Sequence, residues 1–351
     1  MKIVVNARFL LHPYTGIGQY TKHMLRALSK IDKKNEYVLL VPKRVKNTFG
    51  KNFRVKVLPE LRRGGAGIKK TYWEQISVPE TILREKADVA WFPYPANPWN
   101  KGFYKKGVRV LLTVHDCIPW KHREYRKGLL SKMYHYQSKR AVRLANEVLT
   151  VSKSSAGDIA KICEVPARRI SLTYNDVDPV YKGKKGDANL LKKWGLKKGK
   201  YLLYCGGYDK RKGVERLVKE AVGEKLVLCG GQLHLGKLYE SFGAEAGDLV
   251  RTGFLKEEDL KVLYENCKAF VHLSQEEGFN IPALEAANCG APLVLSGIAV
   301  HKEIFAGGAM FVGNRKGALR LALAKISRKK NPIVGKYSWE MSAKVFKNLL
   351  K

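Results

Sequence analysis

Acidic residues are scarce in this chain: 31 Asp and Glu stand against 66 Lys and Arg in 351 residues, a formal net charge of +35. That shortage excludes an acidic solvating tail or scaffold and marks a surface attractive to polyanions: nucleic acid, an anionic bilayer or phosphorylated small molecules. Generic surface solvation also draws on lysine, so charge alone does not separate a binding face from a merely basic one. Cysteine is sparse too. The six (Cys117, Cys163, Cys205, Cys229, Cys267, Cys289) lie far apart and form no CxxC pair and no metal-ligand spacing, which argues against a zinc finger. Several lie in apolar runs such as YLLYC and LVLC, where cysteine acts as a small buried hydrophobe; reduced thiols of a cytoplasmic protein are expected. No run approaches the roughly 20 apolar residues that span a bilayer. The apolar stretch in MKIVVNARFLL is too short for a signal peptide. The expectation is a soluble protein, at most resting on a membrane surface. Internal repeats and low-complexity tracts are also missing. What is present is globular composition, 45% hydrophobic and 28% charged, at a length that suits two domains.

Short apolar or β-branched runs alternate with longer amphipathic segments. Lys2–Asn6 predicts a first strand and Gly18–Ile31 a helix with apolar spacing through Tyr20, Met24, Leu25 and Leu28. Tyr37–Val41, Val55–Leu58, Val89–Phe92, Val110–Val114, Glu147–Val151 and Ile170–Thr173 read as further strands. Asp178–Lys200, rich in Lys, Gly and Asp, reads as a crossing followed by a short helix. A second series runs through Tyr201–Cys205, Lys225–Cys229, Leu249–Thr252, Ala269–Leu273 and Pro292–Leu295, and Ser338–Lys351 closes the chain as an amphipathic helix. The pattern predicts α/β architecture: two Rossmann-like, doubly wound domains facing each other across a cleft, spanning 1–180 and 181–337, with 338–351 returning to the first. In open α/β sheets ligands sit beyond the carboxyl ends of the strands, so the loops there should carry the chemistry.

Val271–Gly290 (VHLSQEEGFNIPALEAANCG) is the most informative stretch. A strand ends at Leu273, a polar turn with Gly278 follows, and a helix starts near Pro282, where a missing N–H costs nothing. The N–H groups of Phe279, Asn280 and Ile281 would lie at a positive helix end suited to a diphosphate or sugar hydroxyls. Glu277 and Glu285 fall in the loop and about a turn into the helix. Carboxylates near a helix N-terminus are also simply stabilising, by roughly 0.3–1 kcal/mol each. The full string EGFNIPALEA with CGAPLV strongly resembles the signature of retaining family-4 glycosyltransferases of the GT-B fold. The resemblance implies that Glu277 lies near the donor sugar and acts in catalysis. It places Glu285 on the ribose hydroxyls, and the N–H groups after Gly278 on the sugar and diphosphate. Glu303, in HKEI, supports the match without being a site.

Other segments fit the same resemblance. In CGGYDKRKGVERLVK, Arg211 and Lys212 stand at a helix start; an isolated pair is usually a solvated turn, but in this family the loop resembles the donor-phosphate clamp, neutralising the departing diphosphate. Gly207 stands where some relatives carry a further arginine. LTVHD puts His115 at a strand's carboxyl end; such a histidine is often a core residue, and the family places a similar one close to the sugar, so His115 is expected to position it. In YTGIGQY, Gly16 and Gly18 would let the backbone approach the diphosphate or acceptor, although glycine also serves any tight turn. Trp73-Glu74-Gln75 and Ser338-Trp339-Glu340 resemble family sequence; Asn175-Asp176-Val177-Asp178 departs from the usual Asn-Gly-Val-Asp.

The expected function is retaining transfer of a hexose, mannose first, from a GDP- or UDP-linked nucleotide sugar to a hydroxyl of a glycan or lipid-linked acceptor, with no metal and no separate cofactor. Ten Lys/Arg against Glu60 between Lys43 and Lys70, and eight against Glu124 between Trp120 and Arg143, suit an anionic acceptor or the inner face of the cytoplasmic membrane. A simply basic surface stays open beside that reading. The alternatives are a sugar-nucleotide epimerase of the same fold, or a nucleic-acid-binding protein on a transferase-like scaffold. The last is not favoured, because no recognition helix, zinc finger or RNP-like aromatic string occurs.

Overall fold

A computed structural model describes residues 1–230, 248–329 and 331–351. The chain divides into two compact units: Met1–Asn175 with Ser338–Lys351, and Asp176–Tyr337. The expected doubly wound parallel sheets are found in both.

The first unit holds β1 (Lys2–Asn6), β2 (Glu36–Val41), β3 (Phe53–Val57), β4 (Val89–Phe92), β5 (Arg109–Thr113), β6 (Glu147–Thr150) and β7 (Ile170–Leu172). They pair in parallel in the order β3-β2-β1-β4-β5-β6-β7. Runs such as Ile3–Val5 and Val38–Val41 are wholly buried, as strands covered by helices on both faces must be. The first helix begins at Gly16, two residues before the expected start, because Thr15 is its N-cap and accepts from the Gly18 N–H at 3.1 Å. Its Tyr20, Met24, Leu25 and Leu28 are buried. The terminal helix (Trp339–Asn348) lies against it: Trp339 stacks on His23 at 5.3 Å, and Phe346 meets Trp91 at 4.7 Å.

The second unit holds β8 (Leu202–Cys205), β9 (Leu226–Cys229), β10 (Leu249–Gly253), β11 (Ala269–His272), β12 (Leu293–Ser296) and β13 (Met310–Val312), ordered β10-β9-β8-β11-β12-β13. β13 is not expected from the sequence; three residues at a sheet edge leave no periodicity to read. The short helix expected in Asp178–Lys200 is a 3-10 segment, Ala188–Trp194, ended by left-handed Gly195. In both units the strand order reverses beside the first strand, between β1 and β4 and between β8 and β11. At such a switch point the loops diverge and leave a ligand-sized crevice.

Candidate active site

The loops after β8 and β11 meet at the second unit's switch point. Gly213, with φ +69°, closes the β8 loop so tightly that a Cβ there would stand 2.3 Å from the Leu273 carbonyl oxygen. The Gln275 N–H donates to the Arg211 carbonyl at 2.7 Å. This apposition brings the expected phosphate clamp and the EGFN loop together. Lys212 Nζ lies 2.7 and 3.0 Å from the two Glu277 oxygens. Arg211 donates to the Glu276 carbonyl at 2.9 Å and approaches Glu277 at 3.7 Å.

Glu277 is nearly buried. Burial alone would raise its carboxyl, but the neighbouring Lys212 and Arg211 overcome that and hold it at about 2. His272, at the end of β11, points Nδ1 at the same carboxylate from 3.9 Å. Burial drives the imidazole down to about 3, against the pull of Glu277. It is therefore neutral at physiological pH, and Lys212 and Arg211 are the full charges that hold Glu277 ionised. His272 Nδ1 has no hydrogen-bond partner among the described residues.

Behind this loop the helix Ile281–Asn288 starts at Asn280, which has φ +80° and ψ 68°. That left-handed geometry favours Gly or Asn. The Asn280 side chain does two things at once. Its Oδ1 accepts from the Ala283 N–H at 3.2 Å, capping the helix. Its Nδ2 must then donate to His301 Nε2 at 2.9 Å, so the His301 proton sits on Nδ1 and is given to the Ser296 carbonyl, also at 2.9 Å. Glu285, one turn into the helix, is buried and accepts from the Tyr264 hydroxyl at 3.1 Å. Gly278 and Phe279 are buried, the latter edge-on to Tyr337 at 5.7 Å, and Ile281 is half-buried. Glu303, on the helix Ala299–Phe305, is half-buried.

The remaining expected residues lie in the first unit. Just past β5, the His115 Nε2–H is held by the Pro93 carbonyl at 2.9 Å and the ring meets Tyr20 edge-on at 4.8 Å. Burial lowers the imidazole to about 4, outweighing the carbonyl bond. It is neutral, with Nδ1 left as an acceptor. Gly16 is exposed, with open space around it, whereas Gly18 is buried where a Cβ would meet the His12 carbonyl oxygen at 2.0 Å. The close approach at Gly18 is therefore to the chain's own loop, and its N–H is already taken by Thr15. Glu74 sits in a π-helical turn (Trp73–Ser77), fully buried, accepting from the Tyr94 and Tyr134 hydroxyls at 2.8 and 2.9 Å.

Sequence reasoning missed His301, which accepts from the Asn280 cap, Tyr264, which donates to Glu285, and His272, which faces Glu277 from 3.9 Å. The one signal for His301 was its place beside Glu303 in HKEI.

Two family models match the chain: Glycosyltransferase Family 4 over residues 14–181 and Glycosyl transferases group 1 over 187–332. Among curated relatives, the O-antigen chain mannosyltransferase RfbU of Salmonella typhimurium is 29% identical over 209 residues, covering 57% of this chain and 56% of that protein. The O-antigen chain mannosyltransferase B of Escherichia coli is 26% identical over 333 residues, covering 87% and 84%. The chain thus spans little more than half the length of the first and most of the second. Of solved structures, Anabaena Alr3699/HepE in complex with UDP and glucose superposes with a TM-score of 0.71 at 14% identity, covering 99% of this chain and 98% of that one. WaaG, a glycosyltransferase involved in lipopolysaccharide biosynthesis, gives 0.68 at 14% identity, with 99% and 95% covered. The shared fold is GT-B, with two Rossmann-like domains.

Proposed function

The chain belongs to the family-4 glycosyltransferases, and from that premise we propose that it moves a hexose, mannose first, from a nucleotide diphosphate sugar to a hydroxyl of a glycan or lipid-linked acceptor, with retention of configuration. The observation that carries the proposal is the cluster of Arg211, Lys212 and Glu277 at the second unit's switch point, beside the N-terminus of the helix that bears Glu285. Lys212 and Arg211 put two cations where a diphosphate would sit, facing Glu277, with Asp209 also 3.7 Å from Arg211. Helix N–H groups add to the cations. Glu285, buried one turn along, is suited to accept from ribose hydroxyls. The mannosyl reading leans on the relatives named above, and the UDP and glucose of the Anabaena structure belong to that protein.

In the proposed step the bond from the anomeric carbon to the donor phosphate oxygen breaks while a bond to the acceptor oxygen forms on the same face. The acceptor proton passes to the departing phosphate. Arg211 and Lys212 stabilise the growing negative charge, so turnover is expected to survive removal of divalent metal. Glu277, with both oxygens on Lys212 and its carboxyl held at about 2, orients the sugar as a permanent acceptor rather than attacking it. His115 is assigned to positioning a sugar hydroxyl through its free Nδ1.

The test incubates the full chain with GDP-mannose or UDP-glucose, with and without a lipid-linked glycan acceptor, and reads nucleotide release and product anomeric configuration. Acceptor-dependent release with retention is expected. Isomerisation of the donor alone would replace the proposal with an epimerase, and a covalent sugar on Glu277 would overturn the same-face mechanism.

A further inference from the structure

The helix Leu129–Val142 buries only Ser138, Ala141 and Val142. Its first two turns hold out large apolar side chains: Leu129 and Leu130 are 73% and 72% exposed, Tyr136 61% and Met133 54%. Leu129, Met133 and Tyr136 recur at helical spacing and form one stripe. Cations flank it. Lys132 and Lys139 line an open hollow of about 750 Å³ together with Arg123, Arg126 and Lys127, and Trp120 forms part of its wall. Arg140, one turn beyond Tyr136 on the same stripe, lays its guanidinium over the Tyr136 ring at 5.6 Å, and Tyr136 also lines the hollow. From Tyr125 to Asn146 there is no acidic residue.

A solvated helix does not need four large apolar side chains in water, and a soluble chain seldom leaves them in one patch. A polyanion such as RNA would use the cations but would gain little from Leu129, Leu130 and Met133. An anionic bilayer uses both. Its phosphate headgroups neutralise the cations, and its interfacial region takes up the leucine and methionine side chains while the helix lies in the membrane plane. The geometry points to Leu129–Val142 and the basic hollow beside it as a docking surface for an anionic phospholipid bilayer. The Lys43–Lys70 stretch is as basic, and is not required for this surface. The inference stands on the first unit alone and does not depend on the donor-site reading.

The test is co-sedimentation of the full chain with vesicles of phosphatidylcholine, alone or with phosphatidylglycerol, at low and physiological salt. Wild-type protein is expected to pellet with the phosphatidylglycerol vesicles and to remain in solution with phosphatidylcholine alone. Each cation near such a surface is worth about fivefold in affinity, so Lys132→Glu/Lys139→Glu should weaken binding by tenfold or more. Leu129→Glu/Leu130→Glu, which leaves the hollow's cations in place, should abolish pelleting at physiological salt. Both pairs are exposed or half-buried, and an unchanged thermal transition verifies that the variants fold. Equal pelleting with and without phosphatidylglycerol would overturn the inference. So would a leucine variant that pellets like wild type, or one whose vesicle binding persists until RNA displaces it, since either assigns the cations to a polyanion without an apolar phase.

Discussion

Each unit buries a glutamate by its sheet's switch point, and the two are held in opposite ways. Glu74 accepts from two tyrosine hydroxyls, with Lys70 at 3.8 Å, and burial dominates: its carboxyl is pushed up. Glu277 has an ammonium on both oxygens and Arg211 beside it, and charge dominates: its carboxyl is held at about 2. The sheet topology on either side is the same. The difference lies in what the loops bring. Tyrosines make a closed, weakly polar knot that braces the first unit. Cations on a short, glycine-closed loop make a charged cluster that faces the β11 loop and can exchange partners with an anion.

The comparison breaks most sharply at Lys212. Lys212→Met leaves Glu277 buried without its main cation, at a cost of about 3 kcal/mol, and removes one diphosphate contact, lowering kcat/KM about 10²-fold or more. Denaturant titration and donor turnover check the two effects. Wild-type Glu277, whose carboxyl is depressed in the folded state, adds stability above the ordinary glutamate range that is lost as pH falls toward about 2. In Lys212→Met that loss should move to higher pH.

Next in size is Asn280. Asn280→Ala forfeits the helix cap and puts a Cβ-bearing, non-Asn residue at φ +80°, together about 2 kcal/mol. Asn280→Gly keeps the backbone at ease and should cost only a few tenths of a kcal/mol for the cap, plus the His301 contact. If alanine proves as mild as glycine, the left-handed cap is not what holds the loop.

Acidification probes the buried imidazoles on both sides of the comparison. Burial lowers His115 to about 4 and His272 to about 3, and lowers His301 as well. Below the ordinary histidine range the unfolded chain takes up protons that the folded one refuses. Stability should therefore fall from about pH 6.5 to pH 5, by about 1.4 kcal/mol per pH unit for each histidine once that range is passed. His301→Asn should flatten the slope. A flat profile in the wild type would mean that these rings titrate normally. The smallest effect is expected for Glu74→Gln: the amide can still bond both tyrosines, so stability should change by less than about 1 kcal/mol and turnover should hold.

How much of this was legible follows from range. β1 and β4 match their expected limits because buried parallel strands are continuous apolar runs, and the other expected strands shift by a residue or two at their ends. The β11 loop and its helix could be placed because Pro282, Gly278 and both glutamates lie within a dozen residues of one another. The Lys212–Glu277 contact joins residues 65 apart, and Asn280–His301 joins residues 21 apart. No local pattern encodes such pairs. The π-helical turn at Trp73–Ser77 escaped for another reason: one extra residue in a turn leaves no mark in hydrophobic spacing.

The central claim, that the second unit's switch point is a nucleotide-sugar site, is tested most directly by thermal stabilisation with UDP, GDP and ADP, on wild type and on Glu285→Ala. A nucleotide at a hundred times its Kd stabilises by about 2.7 kcal/mol. The account predicts a clear rise in Tm with one of the three, lost in the variant. No shift with any of them, with or without divalent metal, or a shift that Glu285→Ala retains in full, would contradict it.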